Sequence, residues 1–194
     1  KKKKTNIPRK SAKTINLGLF YGMGVGKLSD QLGIAPDEAK SLINQYNERV
    51  PFVRQLADKV SDHAQRKGRV RTILGRQCRF DLWEPKSFGA HKAYPYEKAV
   101  EEYGSNIGLK RAGTYKSLNR LIQGSAADQI KKAMVELYKE GVIPMIQIHD
   151  ELAISIDGSK QQKEKIINIM ENCLEMEIPS KVDLAVASSW GEAQ

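Results

Sequence analysis

Residues 126–156 run Ala126-Ala127-Asp128-Gln129-Ile130-Lys131-Lys132-Ala133-Met134-Val135-Glu136-Leu137-Tyr138-Lys139-Glu140-Gly141-Val142-Ile143-Pro144-Met145-Ile146-Gln147-Ile148-His149-Asp150-Glu151-Leu152-Ala153-Ile154-Ser155-Ile156, and they change hydrophobic period once. Ala126, Ala127, Ile130, Ala133, Met134, Leu137 and Tyr138 recur at helical spacing, and Gly141 ends the run. Val142 to Gln147 and Leu152 to Ile156 are short, apolar and rich in β-branched residues, which predicts two strands. Between them stand His149, Asp150 and Glu151, placed by this reading at the tip of a hairpin. A helix followed by an antiparallel hairpin gives an α+β fold.

Working outward, Lys160 to Met176 reads as helix, and Val182, Leu184 and Val186 alternate as a last strand. Upstream, the helical pattern begins at Leu109, and Asp81 to Tyr96, with Pro85, Gly89 and Pro95, reads as a loop. Val70 to Phe80, broken by Gly75, predicts a small hairpin. Before it stand three helical stretches. One carries Val25, Leu28 and Leu32 and stops at Gly33; one opens at Pro36 with Ala39, Leu42, Ile43 and Tyr46; one follows Val50-Pro51 with Phe52, Val53, Leu56, Val60 and Ala64. The first helix runs from about Arg9 to Gly22, behind capping candidates Thr5 and Asn6 and a tolerated Pro8. The expected organisation is a mainly helical part over residues 1–100 and a sheet-bearing part over 101–194.

Composition narrows the function classes. The 194 residues contain no run of eighteen or more apolar residues, so no helical membrane span is expected. Two cysteines, Cys78 and Cys173, and three histidines make neither a disulfide framework nor a structural zinc site, and a reducing compartment is the expectation. The net charge is +9, and its distribution is uneven. Residues 1–29 hold Lys1 to Lys4, Arg9, Lys10, Lys13 and Lys27 with no acid; residues 66–79 hold Arg66, Lys67, Arg69, Arg71, Arg76 and Arg79, again with none. Two acid-free basic blocks point to a polyanion such as nucleic acid.

Two constellations could carry chemistry. On the first helix, Arg9, Lys13, Leu17 and Phe20/Tyr21 share one face, a row suited to a triphosphate with its sugar and base. An ordinary amphipathic helix with core Leu17 and Phe20 fits the spacing equally. Gly18 and Gly22 would each cost a helix interior about 1 kcal/mol, as expected where something approaches the backbone closely. At the hairpin tip, Asp150 and Glu151 offer hard oxygen ligands for Mg²⁺. Neighbouring strand residues point to opposite faces, so both need not bind one ion, and a polar β-turn, where Asp and Glu are common, is the plain alternative.

Four segments together resemble family A DNA polymerases, of the bacterial polymerase I type and their viral counterparts. Arg9 with Lys13-Thr14-Ile15-Asn16-Leu17-Gly18-Leu19-Phe20-Tyr21-Gly22 is similar to the fingers-helix motif Arg-x3-Lys-x2-Asn-(aromatic)-Gly-x2-Tyr-Gly. Gly68 to Arg79 resembles a Gly-Tyr-Val-x-Thr-x2-Gly-Arg-Arg-Arg segment. Asn119 to Asp128 resembles the Asn-x3-Gln-Gly-(Thr/Ser)-Ala-Ala-Asp helix, and Gln147 to Leu152 the palm His-Asp-Glu motif.

The resemblance implies a fingers subdomain over 1–100, with its nucleotide-binding helix at about 9–22, and a partial palm over 101–194, with a metal-site hairpin at 147–152. It implies DNA-directed DNA polymerase activity by two Mg²⁺ ions. Primer-template DNA and dNTPs are the partners, in the cytoplasm of a bacterium or a virus-infected cell or in an organelle. Arg9 and Lys13 would bind the nucleotide phosphates, Leu17 would lie against its sugar and base, and Tyr21 would sit where the templating base is admitted. Asn119, Gln123, Arg76 and Arg79 would contact DNA, and His149 the primer end. Asp150 would hold the metals, with Glu151 supporting it; Lys13 and His149 complete the catalytic set.

Two departures stand out. The family's Asp-x-Ser-Gln-x-Glu motif, which supplies another metal-binding Asp, is absent, so the chain is expected to be a C-terminal part that is inactive without the missing N-terminal part (thumb and remaining palm). Leu17 stands where the family usually has Phe or Tyr. A non-catalytic DNA-binding remnant is the alternative reading, and an unrelated Mg²⁺ phosphohydrolase has less behind it.

Overall fold

A computed structural model describes residues 9–87 and 89–193; the expected caps Thr5 and Asn6, Pro8, the lysine run and the side chain of Arg9 lie outside the described residues. The chain divides into two compact units, one comprising the chain up to Arg71 with Gln77–Leu121, the other Thr72–Arg76 and Ile122 onward.

The first unit opens with α1 (Arg9–Phe20). Gly22, at φ 80°, ends it: Met23 N–H donates to Gly18 O and Gly22 N–H to Leu19 O, the paired bonds of a Schellman cap. Gly22 therefore lies just past the helix, and the interior cost expected of it does not arise. Helices α2 (Val25–Leu32), α3 (Pro36–Arg49) and α4 (Pro51–Lys67) follow as the spacing predicts. Pro51 starts α4, where its missing N–H costs nothing. Gly33 and Gly68 close α2 and α4 in the left-handed region. Ala64 of α4 packs with Val70 and Phe80 into a small core, joined by Val60, Cys78 and Leu121.

Strands β1 (Arg69–Arg71) and β2 (Gln77–Arg79) form the expected hairpin. The segment read as a loop, 81–96, instead contains two short strands, β3 (Leu82–Pro85) and β4 (Tyr94–Pro95). The helix expected from Leu109 is preceded by β5 (Leu109–Arg111), and the three strands form an antiparallel sheet in the order β4-β3-β5. Strands of two to four residues are too short to display a period of two, and Pro85 and Pro95 end two of them, where proline reads as a breaker. Helix α5 (Tyr96–Tyr103) adjoins this sheet. Arg111 ties it to α4. Its guanidinium lies 4.5 Å from the Trp83 ring centre and donates to the carbonyls of Gln65 (3.2 Å) and Phe80 (2.8 Å).

Helix α6 (Ser117–Lys139) runs from the first unit into the second. Of its predicted stripe, Ala133 and Leu137 are buried, whereas Ala126 and Tyr138 are exposed. Strands β6 (Pro144–Ile148) and β7 (Glu151–Ile154) pair antiparallel as expected, and α7 (Lys160–Asn172) follows. Leu137, Val142 and Ile166 centre this unit's core, with Leu152, Ile154 and Ile156 against it. The last strand expected at Val182, Leu184 and Val186 is not formed. Alternation assigns faces, but a strand exists only where its backbone finds a ladder partner; here Val182 N–H donates to the Glu171 carboxylate at 3.1 Å. The result is still α+β, with small antiparallel sheets that begin at Arg69.

Candidate functional site

The pairing of Ile148 with Glu151 leaves His149 and Asp150 as a two-residue turn. His149 has φ 54°, a conformation that non-glycine residues adopt at some cost. The turn is braced on both sides: Gln147 Nε2 donates to the His149 carbonyl (3.0 Å), and Trp190 Nε1 donates to Glu151 Oε1 (3.1 Å). His149, Asp150 and Glu151 are all exposed. Among the described residues no three His, Cys, Asp or Glu side chains converge as a metal cage. Two exposed carboxylates suit a hard divalent cation that keeps water and phosphate oxygens as its other ligands.

The β1–β2 hairpin carries four of the second basic block's six cations, with Arg66 and Lys67 in the last turn of α4. Arg69, Arg71 and Arg79 are exposed while Val70 is buried between them, and Arg69 lies directly opposite Arg79. Opposed like charges weaken a strand pair, a cost that a bound anion would relieve. Arg120 donates to the Arg79 carbonyl (3.3 Å) and lies over the Phe80 ring.

The tip of that hairpin is held differently, within the second unit. Arg76 Nε lies 2.8 Å from Asp128 Oδ1, and its Nη2 donates to the Gly124 carbonyl at 2.8 Å. Ile73 N–H donates to Ser125 Oγ at 3.0 Å. Asp128 is buried. Burial alone would raise its carboxyl, but Thr72, Arg76 and the Leu74 backbone outweigh that effect and hold it below the ordinary carboxylate range. Five residues before Asp128, Gln123 is exposed; Asn119, four residues earlier again, is half-buried.

On α1, Lys13 and Leu17 are exposed and Tyr21 is half-buried, with its ring edge-on to Phe20 at 5.2 Å. Leu17, at 44% exposure, is therefore not the core residue that a plain amphipathic helix would make it. The close approach expected at Gly18 is made by the chain itself, because a Cβ there would collide with the Met23 side chain.

The structure thus gathers His149, Asp150 and Glu151 at one tip, groups Arg69, Arg71 and Arg79 on one hairpin face, and turns Arg76 onto α6. Sequence reasoning missed the Trp190–Glu151 contact, which joins residues 39 apart, and the Arg76–Asp128 pair, 52 apart. Neither has a local spacing signal; an Asp inside an apolar helical stripe was the one hint available.

Residues 1–192 match DNA polymerase family A. The chain is 33% identical to a DNA-directed DNA polymerase of Pseudomonas phage M6, over 96% of this chain and 30% of that protein. It is 33% identical to DNA polymerase I of Rhizobium leguminosarum, over 95% of this chain and 18% of that protein. A solved polymerase domain of Pol1 from M. smegmatis, in complex with DNA primer-template and dNTP, superposes with a TM-score of 0.74 at 30% identity, covering 95% of this chain and 31% of that one. The chain spans less than a third of the length of these relatives. With residues 1–192 inside the family match and relatives aligned over nearly the whole chain, the chain belongs to DNA polymerase family A.

Proposed function

We propose that this chain is the fingers and part of the palm of a DNA-directed DNA polymerase, extending a primer 3′ end with dNTPs copied from a template. The observation that carries the reading is the exposed His149-Asp150-Glu151 turn, present in a chain that matches the family over residues 1–192. The fingers role falls to residues 1–100 and the palm role to 101–194, while the compact units part near Leu121.

In this reading Arg9 and Lys13 take the nucleotide's phosphates by charge-assisted hydrogen bonds. Leu17 packs on its sugar, and Tyr21 borders the templating base. Asn119 and Gln123 donate to minor-groove acceptors common to all correct pairs, checking shape without reading sequence. Arg79, with Arg69 and Arg71, grips DNA phosphates; Arg76 adds less, because Asp128 already neutralises it. His149 contacts the primer end, Asp150 ligates divalent metal, and Glu151 supports that site. Asp150, with Glu151 beside it, would hold divalent metal, whose chemistry there would be activation of the primer 3′-hydroxyl and charge stabilisation of the leaving pyrophosphate. Asp150 and Glu151 fit as part of such a site, and the remaining ligands come from the N-terminal part of the polymerase. A cytoplasmic location accords with the bacterial and phage relatives.

Primer extension tests this. The 194-residue chain alone should bind primer-template with steeply salt-dependent affinity and extend nothing; adding the remaining polymerase part should restore synthesis. Salt-insensitive binding, or synthesis by the chain alone, would overturn the reading.

A further inference from the structure

Trp190 reaches the acidic turn from outside the four segments that carry the family resemblance. It opens a short 3-10 turn (Trp190–Glu192) in which Glu192 N–H donates to Ser189 O, Ala193 N–H donates to Trp190 O, and the Ser188 hydroxyl bonds the Glu192 carboxylate. These bonds fix the backbone that carries the indole. The ring is 42% exposed, and its Nε1–H points at Glu151 Oε1, 3.1 Å away.

We propose that Trp190 is a positioning residue for the metal-binding turn. The inference rests on the reading of Asp150 and Glu151 as the metal-binding carboxylates. An exposed glutamate samples many rotamers, and a cation that recruits it must first order it. An indole N–H is a donor only, so it favours the charged carboxylate, occupies Oε1 and leaves Oε2 to face a cation or its water. Glu151 is also the residue that closes a turn strained at His149, so anchoring it limits how far Asp150 can swing. Partners of this kind, one shell out from a metal, set ligand orientation and thereby metal affinity.

The test uses the assembled polymerase. Trp190→Phe keeps the ring and removes the donor. It should raise the Mg²⁺ concentration for half-maximal extension by about three- to tenfold, below the range of fully buried outer-shell partners, with the rate at saturating Mg²⁺ and DNA affinity nearly unchanged. Trp190→Gln, which retains an N–H donor, should recover part of the shift. The chain has two tryptophans, so when it is labelled with 5-fluorotryptophan before assembly, the fluorine resonance lost in Trp190→Phe reports the turn directly. That resonance should shift when Mg²⁺ is added to the DNA complex, and Asp150→Asn should abolish the shift. A Trp190→Phe variant that melts at a lower temperature with an unmoved Mg²⁺ midpoint would show a merely structural role and overturn the proposal. If Asp150→Asn itself left extension intact, the metal-site reading would fail, a result distinct from failure of Trp190 alone.

Discussion

The two hairpin tips of this chain have opposite fates. At residues 72–76 the tip is pinned: Arg76 is spent on Asp128 and Gly124, and Ile73 is held by Ser125. At 149–150 the tip stands exposed, strained at His149, with its carboxylate free to face solvent. Both carry charged residues of the family's motifs, and sequence alone ranks them alike. Their surroundings do not: an arginine already paired with a buried carboxylate has less left to offer a ligand, whereas a carboxylate on a braced, exposed turn is available. The comparison separates residues that build the surface from residues that use it.

The difference can be broken first at Asp150. Asp150→Ala in the assembled polymerase should lower nucleotidyl transfer by more than about a hundredfold, beyond the loss typical of an outer-shell metal partner, with DNA affinity retained. Extension near the normal rate at saturating Mg²⁺ would erase the contrast. Asp128→Ala should act on stability instead. Removing one member of a buried ion pair costs about 3–5 kcal/mol, discounted here to roughly 2 because the Arg76 side chain is 46% exposed. That loss is a fall of about 4–8 °C in melting temperature for a chain of this size. Because its folded pKa is lowered, Asp128 contributes stability that is present above its ordinary value of 3.8 and is lost as pH falls through the lower folded value. The stability difference between the wild type and Asp128→Asn should therefore shrink below about pH 4, as measured by denaturant melts across pH.

Leu17, exposed on α1, sharpens the contrast at a third place. Family members with Phe here reject nucleotides lacking a 3′-hydroxyl and those with Tyr accept them, the tyrosine hydroxyl standing in for the missing group. Leu17→Tyr should raise dideoxynucleotide use relative to dNTP by about tenfold, the worth of one well-shielded hydrogen bond. An unchanged ratio of incorporation efficiencies would mean that Leu17 does not face the sugar. The smallest effect is expected on the basic hairpin. Arg79→Ala should weaken DNA binding a few-fold and reduce the salt slope by about 1, whereas Arg76→Ala should leave the slope nearly unchanged and lower the melting temperature. Equal slopes for the two variants would dissolve the distinction between a paired and an unpaired arginine.

The sequence by itself determined every helix except α5, the two hairpins and the candidate acidic turn, because these depend on local period and punctuation: Gly33, Gly68 and Gly141 stop helices, Pro36 and Pro51 start them, and the apolar runs around His149-Asp150-Glu151 have strand length. The exposed side shared by Lys13 and Leu17 was legible as well, since residues four apart on a helix share a side whatever surrounds them. Tertiary structure alone decided the rest. The β4-β3-β5 sheet joins strands too short to carry a period, and Val182 to Val186 has the period but no strand partner, because ladder bonds are made between segments and not within them. Which arginine is spent, and which carboxylate is braced by an indole 39 residues away, follows from contacts that span the chain. No local pattern encodes such contacts, because they form only when burial has brought the two segments together.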